Sequence, residues 1–150
     1  VETNRQMGLS GSEATVERAM GIARDNVAKG GIWWHVRAPF HCAWRGRAAE
    51  AMAEALAGVR MESPAVPLIA NVTATDVTDA AEIRRLLVEQ VTGMVRWRES
   101  VLFMKENGIE TLIEIGAGKV LSGLARRIDR ELTAQNVGTP EDVEAFLGSI

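Results

Sequence analysis

The feature that most constrains the fold is the run of apolar residues from Ile109 to Ile115, together with the turn and the helical pattern directly after it. The run is nearly continuous and is typical of a β-strand that is covered on both faces. Gly116-Ala117-Gly118 turns the chain at its end, and apolar residues at helical spacing extend from Val120 to Ile128. A strand, a tight turn and a helix in this order predict an α/β fold with at least part of a parallel sheet.

Five further helices are predicted from capping residues and from apolar side chains at helical spacing. Two short strands are predicted between them, over residues 32–36 and 66–73. The helices are expected to begin near Ser12, shortly before Ala48, at Asp79, near Val95 and at Thr139.

Composition excludes several classes of protein. A chain of 150 residues with 47% hydrophobic residues can bury a core without metal or disulfide staples, and its single cysteine, Cys42, permits no internal disulfide. A lone thiol fits a reducing compartment, so we expect the cytoplasm. The net charge of −3 does not favour nucleic acid, and no apolar run has the length of a membrane helix. Because the sequence begins with Val1 and not with Met, we expect a piece of a longer protein or a processed chain.

His41 is the first candidate for chemistry. It comes after a predicted strand and Pro39 and precedes a helix, a position from which a side chain can reach a crevice at the end of a sheet. Histidine can act as a general base at neutral pH, but at such a boundary it can also be a structural hydrogen-bonding residue. Cys42 as a nucleophile is disfavoured, because neighbours in an extended segment point in opposite directions.

Metal and phosphate sites are not predicted. His35 and His41 are six residues apart on a non-helical stretch, which is not a metal-ligand spacing. Gly116-Ala117-Gly118-Lys119 departs from a phosphate-binding loop, which needs glycine in place of Ile113 and Ser or Thr in place of Val120.

Four segments resemble the malonyl-CoA:acyl carrier protein transacylases, in the order in which that family has them. The resemblance covers about residues 8–150 and only the C-terminal half of the family. The segments are Ala38-Pro39-Phe40-His41-Cys42-Ala43, Val66-Pro67-Leu68-Ile69-Ala70-Asn71-Val72-Thr73, Glu89-Gln90-Val91-Thr92-Gly93-Met94-Val95-Arg96-Trp97 and Glu114-Ile115-Gly116-Ala117-Gly118-Lys119-Val120-Leu121-Ser122-Gly123-Leu124.

The resemblance implies a fold and a reaction. Residues 1–38 would be the remnant of a ferredoxin-like small subdomain, and residues 39–150 the C-terminal part of a hydrolase-like α/β core. The reaction would move a malonyl group from malonyl-CoA to acyl carrier protein in fatty acid biosynthesis, through a Ser-His dyad. His41 would be the base and the backbone carbonyl of Gly93 would orient it. No metal and no bound cofactor are implied.

The nucleophile of that reaction is not among these residues. No G-x-S-x-G occurs in the sequence, and Ser12 is interpreted as a helix cap. We therefore expect the chain alone to be inactive or nearly so.

The segment from Lys29 to Arg47 departs from the family pattern. It holds Trp33, Trp34 and Trp44 among arginines and no acidic residue. These tryptophans could fill an altered core, form an interface that includes self-association, or contact a nucleotide or a nucleic acid. Two alternative functions are a non-catalytic binding or assembly module that uses this patch, and the acyltransferase part of a polyketide synthase.

Overall fold

The computed structural model describes residues 8–26, 28–33, 41 and 43–149, and the fold is mixed α/β. The described residues form two units, one from residues 8–72 and 76–95 and the other from residues 73–75 and 96–149. The elements are α1 Glu13–Asn26, α2 Gly46–Ala57, β1 Leu68–Ala70, β2 Thr75–Val77, α3 Ala80–Gln90, α4 Trp97–Glu106, β3 Thr111–Ile115, α5 Val120–Ile128, β4 Thr133–Val137 and α6 Pro140–Leu147.

In the unit of residues 8–72 and 76–95, helices α2 and α3 pack together. A single 3-10 turn, Ala43–Arg45, leads the chain into α2. Arg84 of α3 donates a hydrogen bond of 2.6 Å to the carbonyl of Val59, just after α2. The helix α3 is thereby tied to the end of α2, and its own last turn carries residues of the candidate site.

In the unit of residues 73–75 and 96–149, strands β3 and β4 pair in parallel, with Thr111 opposite Thr133 and Ile115 opposite Val137. Helix α5 connects them and packs against both strands, and α4 packs against α5. Apolar burial explains this arrangement. The core is Val101, Ile128 and Leu132, with Trp97, Leu102, Met104 and Leu112 packed against it.

Three of the five predicted helix starts, those at Ser12, Asp79 and Thr139, are confirmed by capping bonds. Ser12 accepts a hydrogen bond from the amide of Thr15, and Asp79 accepts one of 2.8 Å from the amide of Glu82. Thr139 and Asp142 form a complete capping box at α6, whose first residue is Pro140. These short-range signals depend only on neighbouring residues, so the sequence is sufficient to read them.

The prediction that the strand at residues 109–115 is covered on both faces is wrong. Ile113 and Ile115 are exposed, because the sheet has two strands and α5 covers the opposite face. Of the predicted strand at 32–36, Ile32 and Trp33 are not in a strand and the rest lies outside the described residues. The division into residues 1–38 and 39–150 stays a prediction.

In the described ranges, no helix combines the length and the apolar character needed to cross a lipid bilayer.

Candidate active site

His41 stands alone among the described residues just before the 3-10 turn, since residues 34–40 and Cys42 lie outside them. Its side chain is exposed, and its backbone has a φ of 54°, in the left-handed region that residues other than glycine rarely adopt. A non-glycine residue in this region costs free energy and is often found at functional sites. The backbone conformation therefore makes His41 a candidate functional residue, independently of any sequence motif.

The His41 ring is hydrogen-bonded to the end of α3. Its Nδ1 atom lies 3.0 Å from the carbonyl oxygen of Gln90. A carbonyl oxygen can only accept, so the bond requires the proton on Nδ1. In the neutral ring this leaves Nε2 without a proton, which is the state a general base needs.

The Gln90 carbonyl is available because Gln90 is the last residue of α3. The final four carbonyls of a helix have no partner within the helix, so they accept bonds from elsewhere. The helix that presents this carbonyl is reinforced on its surface, where Arg85 pairs with Glu82 at 2.7 Å and with Glu89 at 2.6 Å. The hydrogen bond from Arg85 lowers the pKa of Glu82 below its ordinary value, and the same pairing raises the pKa of Arg85.

Gly93, the residue expected to orient the histidine, lies one turn further along. The partner of the His41 ring is the carbonyl of Gln90, whereas the carbonyl of Gly93 accepts a bond of 3.1 Å from the side-chain amide of Gln90. That amide also lies 3.4 Å from the carbonyl of Met94. Gln90 therefore contacts the ring through its backbone and holds the following turn through its side chain.

The turn after α3 is tightly packed at Gly93. Its amide donates a 2.8 Å bond to the carbonyl of Glu89. A Cβ atom placed on Gly93 would lie 2.7 Å from a methyl group of Val72 and 3.0 Å from the carbonyl oxygen of Glu89. Glycine is therefore required here for close approach, and no positive φ is involved.

The turn at residues 116–119 leads from β3 into α5, and backbone amides in the first turn of α5 already donate hydrogen bonds to a carboxylate of the chain. Glu114 accepts bonds from the amides of Leu121 at 3.0 Å and Ser122 at 2.8 Å, and from the Ser122 hydroxyl at 2.7 Å. These bonds lower the pKa of the Glu114 carboxyl. Because an internal carboxylate fills this helix N-terminus, the structure agrees with the prediction that it is not a phosphate loop.

Two of the three tryptophans of the divergent segment are described. Trp33 and Trp44 are exposed, by 43% and 67%, while Trp34 lies outside the described residues. Exposure at these two positions does not fit the interpretation that they fill an altered core.

Within the described ranges, no group of three or more His, Cys, Asp or Glu side chains could hold a metal ion.

The sequence is similar to malonyl-CoA:acyl carrier protein transacylases. It is 40% identical over 145 residues to that enzyme of Bacillus subtilis strain 168, covering 97% of this chain and 46% of the relative. It is 39% identical over 142 residues to that enzyme of Salmonella typhimurium, covering 95% of this chain and 46% of the relative. No family model matches the sequence.

Solved structures give the same result. An acyl-carrier-protein S-malonyltransferase from Bartonella henselae superimposes with a TM-score of 0.86 at 48% identity, covering 93% of this chain and 44% of that one. A malonyl-transacylase in complex with its type II polyketide synthase acyl-carrier protein matches with a TM-score of 0.86 at 36% identity, covering 93% and 45%. The chain thus spans about half the length of the relatives it matches.

Proposed function

We propose that this chain, which is homologous to the C-terminal half of the malonyl-CoA:acyl carrier protein transacylases, supplies the general base of a malonyl transfer. The observation that carries the proposal is the bond between His41 and the carbonyl of Gln90, which fixes the Nδ1–H tautomer. The family resemblance and the side-chain chemistry support the same role.

In the proposed reaction, Nε2 of His41 takes the proton of a serine hydroxyl as its oxygen attacks the thioester carbon of malonyl-CoA. The carbon–sulfur bond breaks, and the coenzyme A thiolate leaves as the thiol after receiving the proton from the imidazolium. The thiol of the carrier protein's phosphopantetheine then gives its proton to His41 and attacks the malonyl-serine ester. The ester carbon–oxygen bond breaks, the serine oxygen regains a proton from the imidazolium, and the malonyl group leaves as a thioester of the carrier protein. The Gln90 carbonyl keeps the ring in one tautomer and stabilises the imidazolium in both steps.

The serine belongs, in this proposal, to a polypeptide equivalent to the first half of the relatives. The fold assignment goes with it: a hydrolase-like core from residue 39 onward and the remnant of a ferredoxin-like subdomain before it. The carrier protein can be that of fatty acid synthesis or of a polyketide synthase, since a relative at 36% identity is named for the latter. We expect the reaction in the cytoplasm.

The test is reconstitution. The 150-residue chain is mixed with, or fused to, the first half of the Bacillus subtilis relative, and malonyl transfer to holo carrier protein is measured. We expect no transfer by the chain alone and transfer by the pair. His41→Ala in the pair should lower the rate by about 10²- to 10⁴-fold, the usual contribution of general-base assistance.

His35→Ala is the matched control, because it removes the only other imidazole of the chain. It should change the rate by less than about threefold, well below the loss expected of a general base. Transfer that survives His41→Ala within a few fold, or transfer by the chain alone, would contradict the proposal.

A second candidate function is a non-catalytic assembly module, and the exposure of Trp33 and Trp44 favours it. Such a module would self-associate or bind a partner through these rings. Sedimentation of the chain, with and without Trp33, Trp34 and Trp44 replaced by Ser, tests the self-association. A monomer in both forms would remove self-association through these rings.

A further inference from the structure

The end of α4 carries a pair of residues whose chemistry the proposed function does not use. Asn107 is the only one of the five asparagines that is followed by glycine, Gly108. In such a pair the backbone nitrogen of the glycine can attack the side-chain amide of the asparagine, because glycine has no Cβ atom to hinder the approach. Both residues are exposed, so water reaches them. The pair therefore has the composition and the solvent access that deamidation of asparagine requires.

The folded structure holds the two reacting groups apart. The amide of Gly108 donates a 3.0 Å bond to the carbonyl of Lys105, and the side-chain amide of Asn107 donates a 2.9 Å bond to the carbonyl of Phe103. Asn107 has a ψ of 20°, so the Gly108 nitrogen nearly eclipses the backbone nitrogen of Asn107 and is rotated away from its side chain. Attack therefore requires that the end of α4 opens first.

Several weak contacts keep this helix end closed. Gly108 has a φ of 83°, and the amide of Ile109 donates a 3.0 Å bond to the carbonyl of Met104, as in a Schellman motif. Lys105 also forms ion pairs with two acidic residues of the segment between α5 and β4, Asp129 and, at 2.6 Å, Glu131. Opening a helix end requires much less free energy than unfolding the chain, so this end opens transiently in the folded protein.

We propose that Asn107 is a site of spontaneous deamidation, which the closed end of α4 keeps latent and which opening of this end releases. The Gly108 nitrogen then bonds to the side-chain carbonyl carbon of Asn107, and the bond from this carbon to Nδ2 breaks. Nδ2 leaves as ammonia, with the proton of the Gly108 amide. Water opens the resulting cyclic imide at either carbonyl, which leaves an aspartyl or an isoaspartyl residue at position 107.

The product prevents the end of α4 from closing again. A carboxylate has no proton to donate to the carbonyl of Phe103, and a negative charge is unfavourable at the C-terminus of a helix. The isoaspartyl form also lengthens the main chain before Gly108 and so displaces the amides of Gly108 and Ile109 from their acceptors. Deamidation therefore converts a transient opening into a permanent loosening of the connection between α4 and β3. This inference does not depend on the role of His41.

The test compares two asparagines of the same chain by mass spectrometry of its peptides, after incubation at neutral pH with the chain folded or unfolded in urea. Asn26 is the matched control. It also ends a helix, is exposed and donates a 2.7 Å bond to the carbonyl four residues earlier, that of Ile22, but valine follows it. In urea, Asn107 should deamidate at least about tenfold faster than Asn26, because valine hinders the attack. In the folded chain, Asn107 should react at least about tenfold more slowly than in urea.

Lys105→Met tests the ion pairs. Circular dichroism establishes that the variant is folded, and its rate at Asn107 should then rise by about threefold or more, with no change at Asn26. In Asn107→Asp, the amides of residues 108 and 109 should exchange hydrogen faster than in the wild type. Equal rates at Asn107 and Asn26 in urea, or equal rates at Asn107 in the folded and unfolded chain, would overturn the proposal without any variant. An unchanged rate in a folded Lys105→Met chain, or unchanged exchange in Asn107→Asp, would count against it as well.

Discussion

The Nδ1 atom of His41 lies 3.0 Å from the carbonyl oxygen of Gln90, although 49 residues separate the two along the chain. Since the carbonyl can only accept, the bond selects the tautomer with the proton on Nδ1. We expect the nitrogen chemical shifts of His41 to report a protonated Nδ1 and an unprotonated Nε2 in the neutral ring. A His35→Gln variant leaves a single imidazole and assigns the signals. A proton found on Nε2 would mean that the ring is not held by Gln90.

Gly93→Ala should destabilise the chain by about 1–3 kcal/mol, the usual cost of inserting a methyl group into a packed site. The new Cβ would lie 2.7 Å from a Val72 methyl group and 3.0 Å from the Glu89 carbonyl oxygen. The measurement is chemical denaturation. Because Gly93 accepts from the Gln90 side chain, the variant should also shift the His41 signals.

Gly123→Ala is the matched control for that substitution, since nothing lies within 4 Å of a Cβ at Gly123 in the interior of α5. It should be neutral or stabilise by up to about 1 kcal/mol, through helix propensity. Adding Val72→Ala to Gly93→Ala should recover part of the lost stability if the Val72 contact is the cause. No recovery would place the strain at Glu89.

Glu114→Gln should weaken the acid dependence of stability. Hydrogen bonds from Ser122 and Leu121 lower the pKa of Glu114 from 4.5, so its stabilising contribution is fully present above pH 4.5 and is lost as the pH falls through the lower folded-state value. The difference in Tm between the wild type and Glu114→Gln should be large at pH 7 and shrink towards acid. Ser122→Ala removes one donor and should give a smaller difference with the same pH dependence. A difference that does not vary with pH would contradict the assignment.

Val101→Ala should cost about 1–3 kcal/mol in the free energy of unfolding, because it leaves a cavity in the core. Val101 is fully buried against Ile128 and Leu132. Val143→Ala, at an exposed position of α6, makes the same chemical change and should alter stability by less than about 0.5 kcal/mol. Similar costs for the two variants would show that the core is not formed as described.

The sequence predicts the elements whose signals are local. Asp79 and Thr139 indicate the starts of α3 and α6, and the glycines at 116–118 indicate the turn before α5. Strand β4 is not predicted, because Thr133–Val137 is largely polar and does not alternate in the way a half-buried strand does. Its partner β3 supplies the pairing that the sequence of β4 alone does not indicate.

In the candidate site, too, the sequence predicts one partner of the contact and not the other. His41 can be found because an imidazole is a distinctive side chain in a family-like segment. Its partner is a backbone carbonyl, and every residue has one, so no residue type marks Gln90 as the acceptor. The end of α3, where backbone carbonyls lose their helical partners, reduces the number of carbonyls that could accept from the His41 ring. Helix ends, however, are the least certain part of a prediction from sequence.

The φ of 54° at His41 has a consequence for stability. The residue that this backbone would accept with the least strain is glycine, which has no side chain with which to do acid–base chemistry. Under the proposed function, stability and turnover therefore favour different residues at this one position. A His41→Gly substitution should therefore relieve the backbone while removing the side chain that the proposed reaction requires.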